Sequence, residues 1–141
     1  MSGPVLRLEN LGKTFATQRG GQVVALADVS LEVGENDFIC LVGPSGCGKS
    51  TLLRIVAGLE RASAGRVVYR GAPLTRPRPE VGMVFQEYSL LPWRDVLDNV
   101  ALGPEFAGMP GRERRELALK RLRQVGLDPF AKAMPHELSG G

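Results

Sequence analysis

Long apolar runs are missing from this 141-residue sequence. No stretch approaches the ~18 apolar residues that a membrane-spanning helix needs, and the first residues lack a basic segment followed by an apolar one. The sequence is therefore expected neither to cross a membrane nor to carry a secretion signal. Cysteine is scarce: Cys40 lies in an apolar run and Cys47 in a glycine-rich loop. Both are expected to be small buried residues rather than a bridge or a metal pair, and a reducing compartment fits. The only histidine, His136, reads as a surface or packing residue. Internal repeats are absent too. Charge is not strongly one-sided, with 18 Lys and Arg against 15 Asp and Glu. The basic residues spread through Arg112, Arg114, Arg115, Lys120, Arg121 and Arg123, mixed with Glu113 and Glu116. Glu116 and Lys120 are spaced for an i,i+4 pair, so a solvated helix face is expected here and no nucleic-acid patch. What is left, at 43% hydrophobic and 23% charged residues, is the composition of a globular chain long enough for one domain.

Against this plain background stands one dense motif. Gly43-Pro44-Ser45-Gly46-Cys47-Gly48-Lys49-Ser50 matches the phosphate-binding pattern G-x-x-x-x-G-K-[ST]. It follows the apolar run Phe38-Ile39-Cys40-Leu41-Val42, expected as a strand buried on both faces. It precedes Lys49 to Leu59, expected as a helix with Leu52, Leu53, Val56 and Leu59 at helical spacing. Glycines at 43, 46 and 48 free successive N–H groups to point into one concavity, and the first turn of the helix adds unpaired amides and the positive end of its dipole. The expected ligand is a nucleoside triphosphate. Lys49 would reach the β- and γ-phosphates, Ser50 would ligate Mg²⁺, and Thr51 would donate to a phosphate oxygen.

The remaining elements are read coarsely. Candidate strands are 5–9, 23–26, 28–33, 38–42, 66–69 and 81–85, with the early ones and 66–69 as half-exposed antiparallel ladders. Gly20-Gly21 reads as a hairpin tip, Gly34 to Asp37 as a turn, and Gly58 as the end of the first helix. Arg76-Pro77-Arg78-Pro79 reads as an extended link. Asp95 is a plausible N-cap for a helix over 96–102 stopped by Gly103-Pro104, and a second helix is expected over 111–125 with Gly126 as its stop. Asp128-Pro129 reads as the start of a short last helix.

Two further motifs narrow the class. Val81-Gly82-Met83-Val84-Phe85-Gln86 is an apolar stretch ending in glutamine, and the chain finishes Leu138-Ser139-Gly140-Gly141. Phosphate loop, glutamine and Leu-Ser-Gly-Gly in this order resemble the ATP-binding cassette proteins over essentially the whole chain. The resemblance implies an α/β fold, a P-loop NTPase with an N-terminal antiparallel β-subdomain and a helical subdomain. It makes Gln86 the Q-loop residue, near Mg²⁺ or the attacking water, and Leu138 to Gly141 the signature that meets ATP on a second cassette in a homodimer. Phe15 falls where the family places an aromatic that stacks on adenine; a plain core role is the alternative. The run from Gln86 to Val100, with Leu90-Leu91-Pro92-Trp93, is similar to cassettes serving nitrate, aliphatic sulfonate and taurine importers. Leu90, Leu91 and Trp93 would either cover the helical region or face a permease.

The resemblance thus implies an ATPase with ATP and Mg²⁺ as cofactors. It would sit peripherally on the cytoplasmic face of the cell membrane, bound to a transmembrane permease through the helical subdomain and Q-loop. The family's Walker B aspartate and catalytic glutamate, D-loop and switch histidine follow the signature and have no counterpart here. One truncated nucleotide-binding domain is therefore expected: a β-subdomain plus half of the P-loop core over 1–86, a helical subdomain over 87–135 and the signature over 136–141. Its core sheet would be incomplete, and this chain alone would lack hydrolysis. Two other readings stay open, a cassette ATPase of translation or repair and a non-catalytic nucleotide-binding fragment.

Overall fold

The computed structural model describes residues 3–86 and 89–138. The chain divides into two compact units, 1–84 and 85–141.

The first unit is built on an antiparallel sheet of strands β1 (Leu6–Ala16), β2 (Gln22–Val33), β3 (Ala64–Tyr69) and β4 (Ala72–Pro73), in the order β2-β1-β3-β4. β1 and β2 form a hairpin whose tip is closed by Thr17 N–H donating to the Gly21 carbonyl at 2.9 Å, with Gly20 at φ 79°. The ladder is not regular. Its register passes from Lys13 opposite Leu26 to Thr14 opposite Val24, which leaves Ala25 as an extra residue in β2. Such a bulge increases local twist and re-aims the strand. A second irregularity centres on Asn10 and Asp28, both at positive φ, where the Asn10 side-chain amide donates to Asp28 Oδ1 at 2.7 Å.

One helix, α1 (Lys49–Val56), covers one face of this sheet. Leu52 and Ile55 bury themselves with Leu8, Leu11, Leu26, Val67 and Leu74, and Leu11 has no exposed surface at all. Removing a side chain of that size from water contributes about 1.5–3 kcal/mol. The helix is shorter than the expected 49–59. It is capped at Ala57 and followed by Gly58 at φ 73°, the usual left-handed stop. Leu59 consequently lies beyond the helix and half exposed, and Leu53, on the helix, is half exposed as well rather than in the core.

Two expected strands do not form. Phe38–Val42 and 81–85 carry no ladder, and Phe38, Val42 and Val84 are almost fully exposed, at 94%, 90% and 97%. The apolar pattern of a doubly covered strand requires parallel neighbours on its edges and layers on its faces. Among the described residues no strand pairs with either segment. Cys40 shares the exposure of its segment and Cys47 that of its loop, so neither is the buried residue expected.

The second unit is helical, with α2 (Val96–Val100), α3 (Leu102–Phe106) and α4 (Gly111–Gln124) followed by short 3-10 turns at 128–130 and 135–137. Asp95 caps α2 as expected, accepting from the Asp98 N–H at 2.7 Å. Gly103-Pro104 does not stop the helix; it lies in the first turn of α3, where proline's missing N–H leaves nothing unpaired. α2 packs on α4, and among the described residues Val96, Ala101, Ala118 and Leu122 are the buried ones of this unit. Gly126 at φ 72° ends α4. Glu116 pairs backwards with Arg112 at 3.0 Å, not forwards with Lys120, while Arg115 binds Asp98 at 3.0 Å and Arg114 approaches Glu105 at 3.8 Å. The basic face of α4 is thus interlaced with carboxylates.

Candidate nucleotide-binding site

The phosphate loop belongs to the first unit and wraps the start of α1. Gly43, Pro44, Ser45, Gly46, Cys47 and Ser50 are exposed, and Gly48, Lys49 and Thr51 are half-buried. Lys49 defines the loop's shape. Its Nζ donates to the carbonyls of Gly43 and Pro44, both at 2.7 Å, and lies 3.4 Å from Cys47 Sγ. Two carbonyls turned onto one ammonium bend the chain into a closed curve around the helix start.

Gly48 is the N-cap of α1, left-handed at φ 95°, with no side-chain cap and no acidic residue in the first turn. The first intrahelical bond is Leu52 N–H to the Gly48 carbonyl at 2.9 Å, so the amides of Lys49, Ser50 and Thr51 have no acceptor within the helix. They form a cluster of donors at the positive end of the dipole. Packing as well as φ demands glycine at 48. A Cβ there would lie 2.4 Å from the carbonyl oxygen of Ala25 and 2.9 Å from Leu26 Cδ2. The bulge in β2 therefore abuts the loop. Gly43 is constrained similarly, since a Cβ would come within 2.8 Å of Cys47 Sγ. The arrangement suits an anion of several charges, held by main-chain amides with one lysine beside them.

Phe15 is not a core residue; it is 38% exposed near the end of β1. Lys13 Nζ stands 4.7 Å from the ring centroid. The same ammonium donates to Glu60 Oε1 at 2.6 Å and to the Arg61 carbonyl at 2.8 Å. That hydrogen bond holds the Glu60 carboxyl below its ordinary value against a smaller opposing effect of desolvation. The sequence pattern did not single out Lys13 or Glu60. Lys13 is two residues from Phe15 on one strand, which is a readable signal, whereas its partner is 47 residues away.

Gln86 and Leu138 belong to the second unit. Gln86 is exposed in a bend, and Leu138 follows the turn 135–137, which Glu137 caps by accepting from the Met134 N–H at 2.6 Å. Ser139, Gly140 and Gly141 lie outside the described residues, as do Glu87 and Tyr88. Trp93 is 72% exposed, so it does not cover the helical region. Asn99, also missed in the sequence, holds the loop that carries it. Its amide donates to the carbonyls of Leu91, Arg94 and Asp95 at 3.1, 2.9 and 3.0 Å, and its Oδ1 accepts from the Leu91 N–H at 2.7 Å. Arg94 adds a two-point contact to Glu105 and thereby lowers the pKa of that carboxyl.

Comparison with known proteins agrees with this geometry. The family described as ABC transporter matches residues 26–141. The chain is 49% identical over 136 residues to an uncharacterized ABC transporter ATP-binding protein of Methanocaldococcus jannaschii, covering 96% of this chain and 51% of that one. It is 49% identical over 137 residues to the taurine import ATP-binding protein TauB of Rhizobium johnstonii, covering 97% and 52%. Against the nitrate import ATP-binding protein NrtD of Synechococcus elongatus the identity is 44% over 138 residues, covering 96% and 50%. The chain thus spans about half the length of these curated relatives. Among solved structures, the ATP-binding cassette MJ0796, a dimer in a post-hydrolysis state bound to ADP and phosphate, superposes with a TM-score of 0.84 at 33% identity, covering 96% of this chain and 63% of that one. A phosphate loop closed on its own lysine, an antiparallel sheet beside it and these likenesses lead to one conclusion: the chain belongs to the ABC transporter family.

Proposed function

We propose that this chain supplies the ATP-binding part of a subunit that energises the import of a small anion, of the nitrate, aliphatic sulfonate or taurine kind. The observation that carries the proposal is the Lys49 ammonium set against the Gly43 and Pro44 carbonyls beside the uncapped start of α1, whose first amides have no acceptor within the helix. On binding, Lys49 would exchange those carbonyls for β- and γ-phosphate oxygens, and Thr51 would add a donor. Phe15 would stack on adenine. The names of the taurine and nitrate relatives support the choice of cargo.

Mg²⁺ fits this site only with help from the nucleotide. Among the described residues no three His, Cys, Asp or Glu side chains gather as a metal cage, so the Ser50 hydroxyl would ligate the ion beside phosphate oxygens and water, with Gln86 near the ion or the attacking water. Bound there, the ion would neutralise charge on the phosphates. For residues 1–141 the proposed activity is nucleotide binding; hydrolysis is proposed for the whole protein, with Gln86 as its Q-loop glutamine. Leu138, Ser139, Gly140 and Gly141 would face the nucleotide of a second cassette. Residues 87–135 would meet a permease at the cytoplasmic face of the membrane, and the exposed Trp93 supports that surface. No helix among the described residues is long and apolar enough to cross a membrane.

Calorimetric titration with Mg-ATP tests the core of the proposal. Uptake is expected, weakened about 10- to 100-fold by Lys49→Ala, as for loss of hydrogen bonds to a charged group. No uptake, or equal uptake by the variant, would overturn it.

A further inference from the structure

The Phe15 ring does not stand alone. Lys13 covers one side of it at 4.7 Å, inside the range of cation–π attraction. The Lys13 side chain is itself 12% exposed and fixed at two points, Glu60 and the Arg61 carbonyl. The same stretch of chain is sewn to β1 again one residue beyond Lys13. Ser63 Oγ accepts from the Thr14 N–H at 3.1 Å and donates to the Thr14 carbonyl at 3.3 Å, and the Ser63 N–H donates to the Gly12 carbonyl at 2.8 Å. Residues 60–63 directly follow the turn that ends α1, the helix that begins in the phosphate loop. One short brace therefore ties the strand carrying the aromatic ring to the far end of the helix carrying the anion site.

The geometry points to Lys13 as a positioning residue for the nucleobase. Tethered by Glu60 and Arg61, its ammonium holds one face of Phe15, so that the opposite face receives the purine. This rests on the reading that Phe15 stacks on the base and the loop binds the triphosphate. A cation behind the ring draws π density away from the face in front, which favours stacking with an electron-rich purine. It also removes the freedom of a ring that the sheet alone leaves partly exposed.

The consequence is a division of labour: Lys13 acts on the base and not on the phosphates. Binding of Mg-ATP and of Mg-tripolyphosphate, which has no base, is to be measured on the 141-residue chain and on Lys13→Met, Glu60→Gln, Phe15→Ala and the Lys13→Met/Phe15→Ala double variant. Lys13→Met is expected to weaken ATP about 3- to 10-fold and to leave tripolyphosphate unchanged. Glu60→Gln, which frees the lysine but keeps its charge, is expected to weaken ATP less and tripolyphosphate not at all. On the Phe15→Ala background Lys13→Met is expected to have no further effect. Equal losses for both ligands would make the brace a general support and overturn the inference, as would a full Lys13→Met effect without the ring. Unchanged ATP binding in both Lys13→Met and Glu60→Gln would overturn it alone. A parent chain that binds neither ligand would overturn the phosphate-loop reading beneath it as well. Should Lys13→Met not fold, Glu60→Gln decides by the same comparison.

Discussion

Replacing Gly48 with alanine is expected to destabilise the first unit by about 1–3 kcal/mol more than replacing Gly46 with alanine. Both glycines have left-handed backbones, at φ 95° and 81°, so both variants carry a similar penalty for placing a Cβ there, about 1–2 kcal/mol. Both also stiffen the unfolded chain, which returns about 0.4–1 kcal/mol. The variants differ in what the new methyl meets. At 46 there is nothing within 4 Å, whereas at 48 the carbonyl oxygen of Ala25 lies 2.4 Å away and Leu26 Cδ2 2.9 Å away. A backbone oxygen cannot rotate aside as a side chain can, so the bulge or the helix start must shift. Overpacking of this kind typically costs about 1–3 kcal/mol, which corresponds to roughly 0.5–2 M in the urea midpoint. Chemical denaturation followed by circular dichroism measures it. Mg-ATP affinity is expected to fall with it for Gly48→Ala, because the displaced residue is the N-cap whose neighbours donate to the phosphates. Equal midpoints for the two variants would refute the claim that the β2 bulge is packed against the loop.

Two further outcomes follow from the ion-pair and loop networks. Glu60 has a folded carboxyl held below its ordinary value of 4.5 by Lys13. A depressed carboxylate contributes fully above the unfolded value and loses that contribution as pH falls through the folded one. Glu60→Gln is accordingly expected to flatten the dependence of stability on pH below 4.5 while leaving it unchanged near neutrality; parallel curves for parent and variant would contradict the pairing. In the second unit, Asn99→Ala removes the acceptor of the Leu91 N–H and three donations to the same loop. Hydrogen exchange at Leu91 is expected to accelerate roughly tenfold, with the Leu122 amide on α4 unaffected; unchanged Leu91 protection would show that the loop is held by something else.

The parts of the fold that were legible in the sequence are those specified locally. The phosphate loop is a contiguous string, the Asp95 cap acts across three residues, and Gly58 and Gly126 stop helices within one turn. The antiparallel hairpin was legible because its alternating residues and glycine turn lie in one stretch. The exposure of residues 38–42 was not, because the apolar pattern records only what a strand requires and not whether neighbours are present to supply it. Gly103-Pro104 misled for a different reason: proline stops a helix from its interior but is tolerated in a first turn, and the pattern does not say which turn it occupies. The Lys13–Glu60 brace is not legible because its partners lie 47 residues apart, and the Asn99 clamp is not because it depends on how the irregular loop at 91–95 folds back on its side chain.

Amide chemical shifts of the 141-residue chain, recorded as Mg-ATP is added, test the central claim most directly. The account predicts that the N–H signals of Gly46, Gly48, Lys49, Ser50 and Thr51 move together and saturate with the binding curve, while those of α4 stay in place. Binding that leaves these loop amides where they were would contradict it.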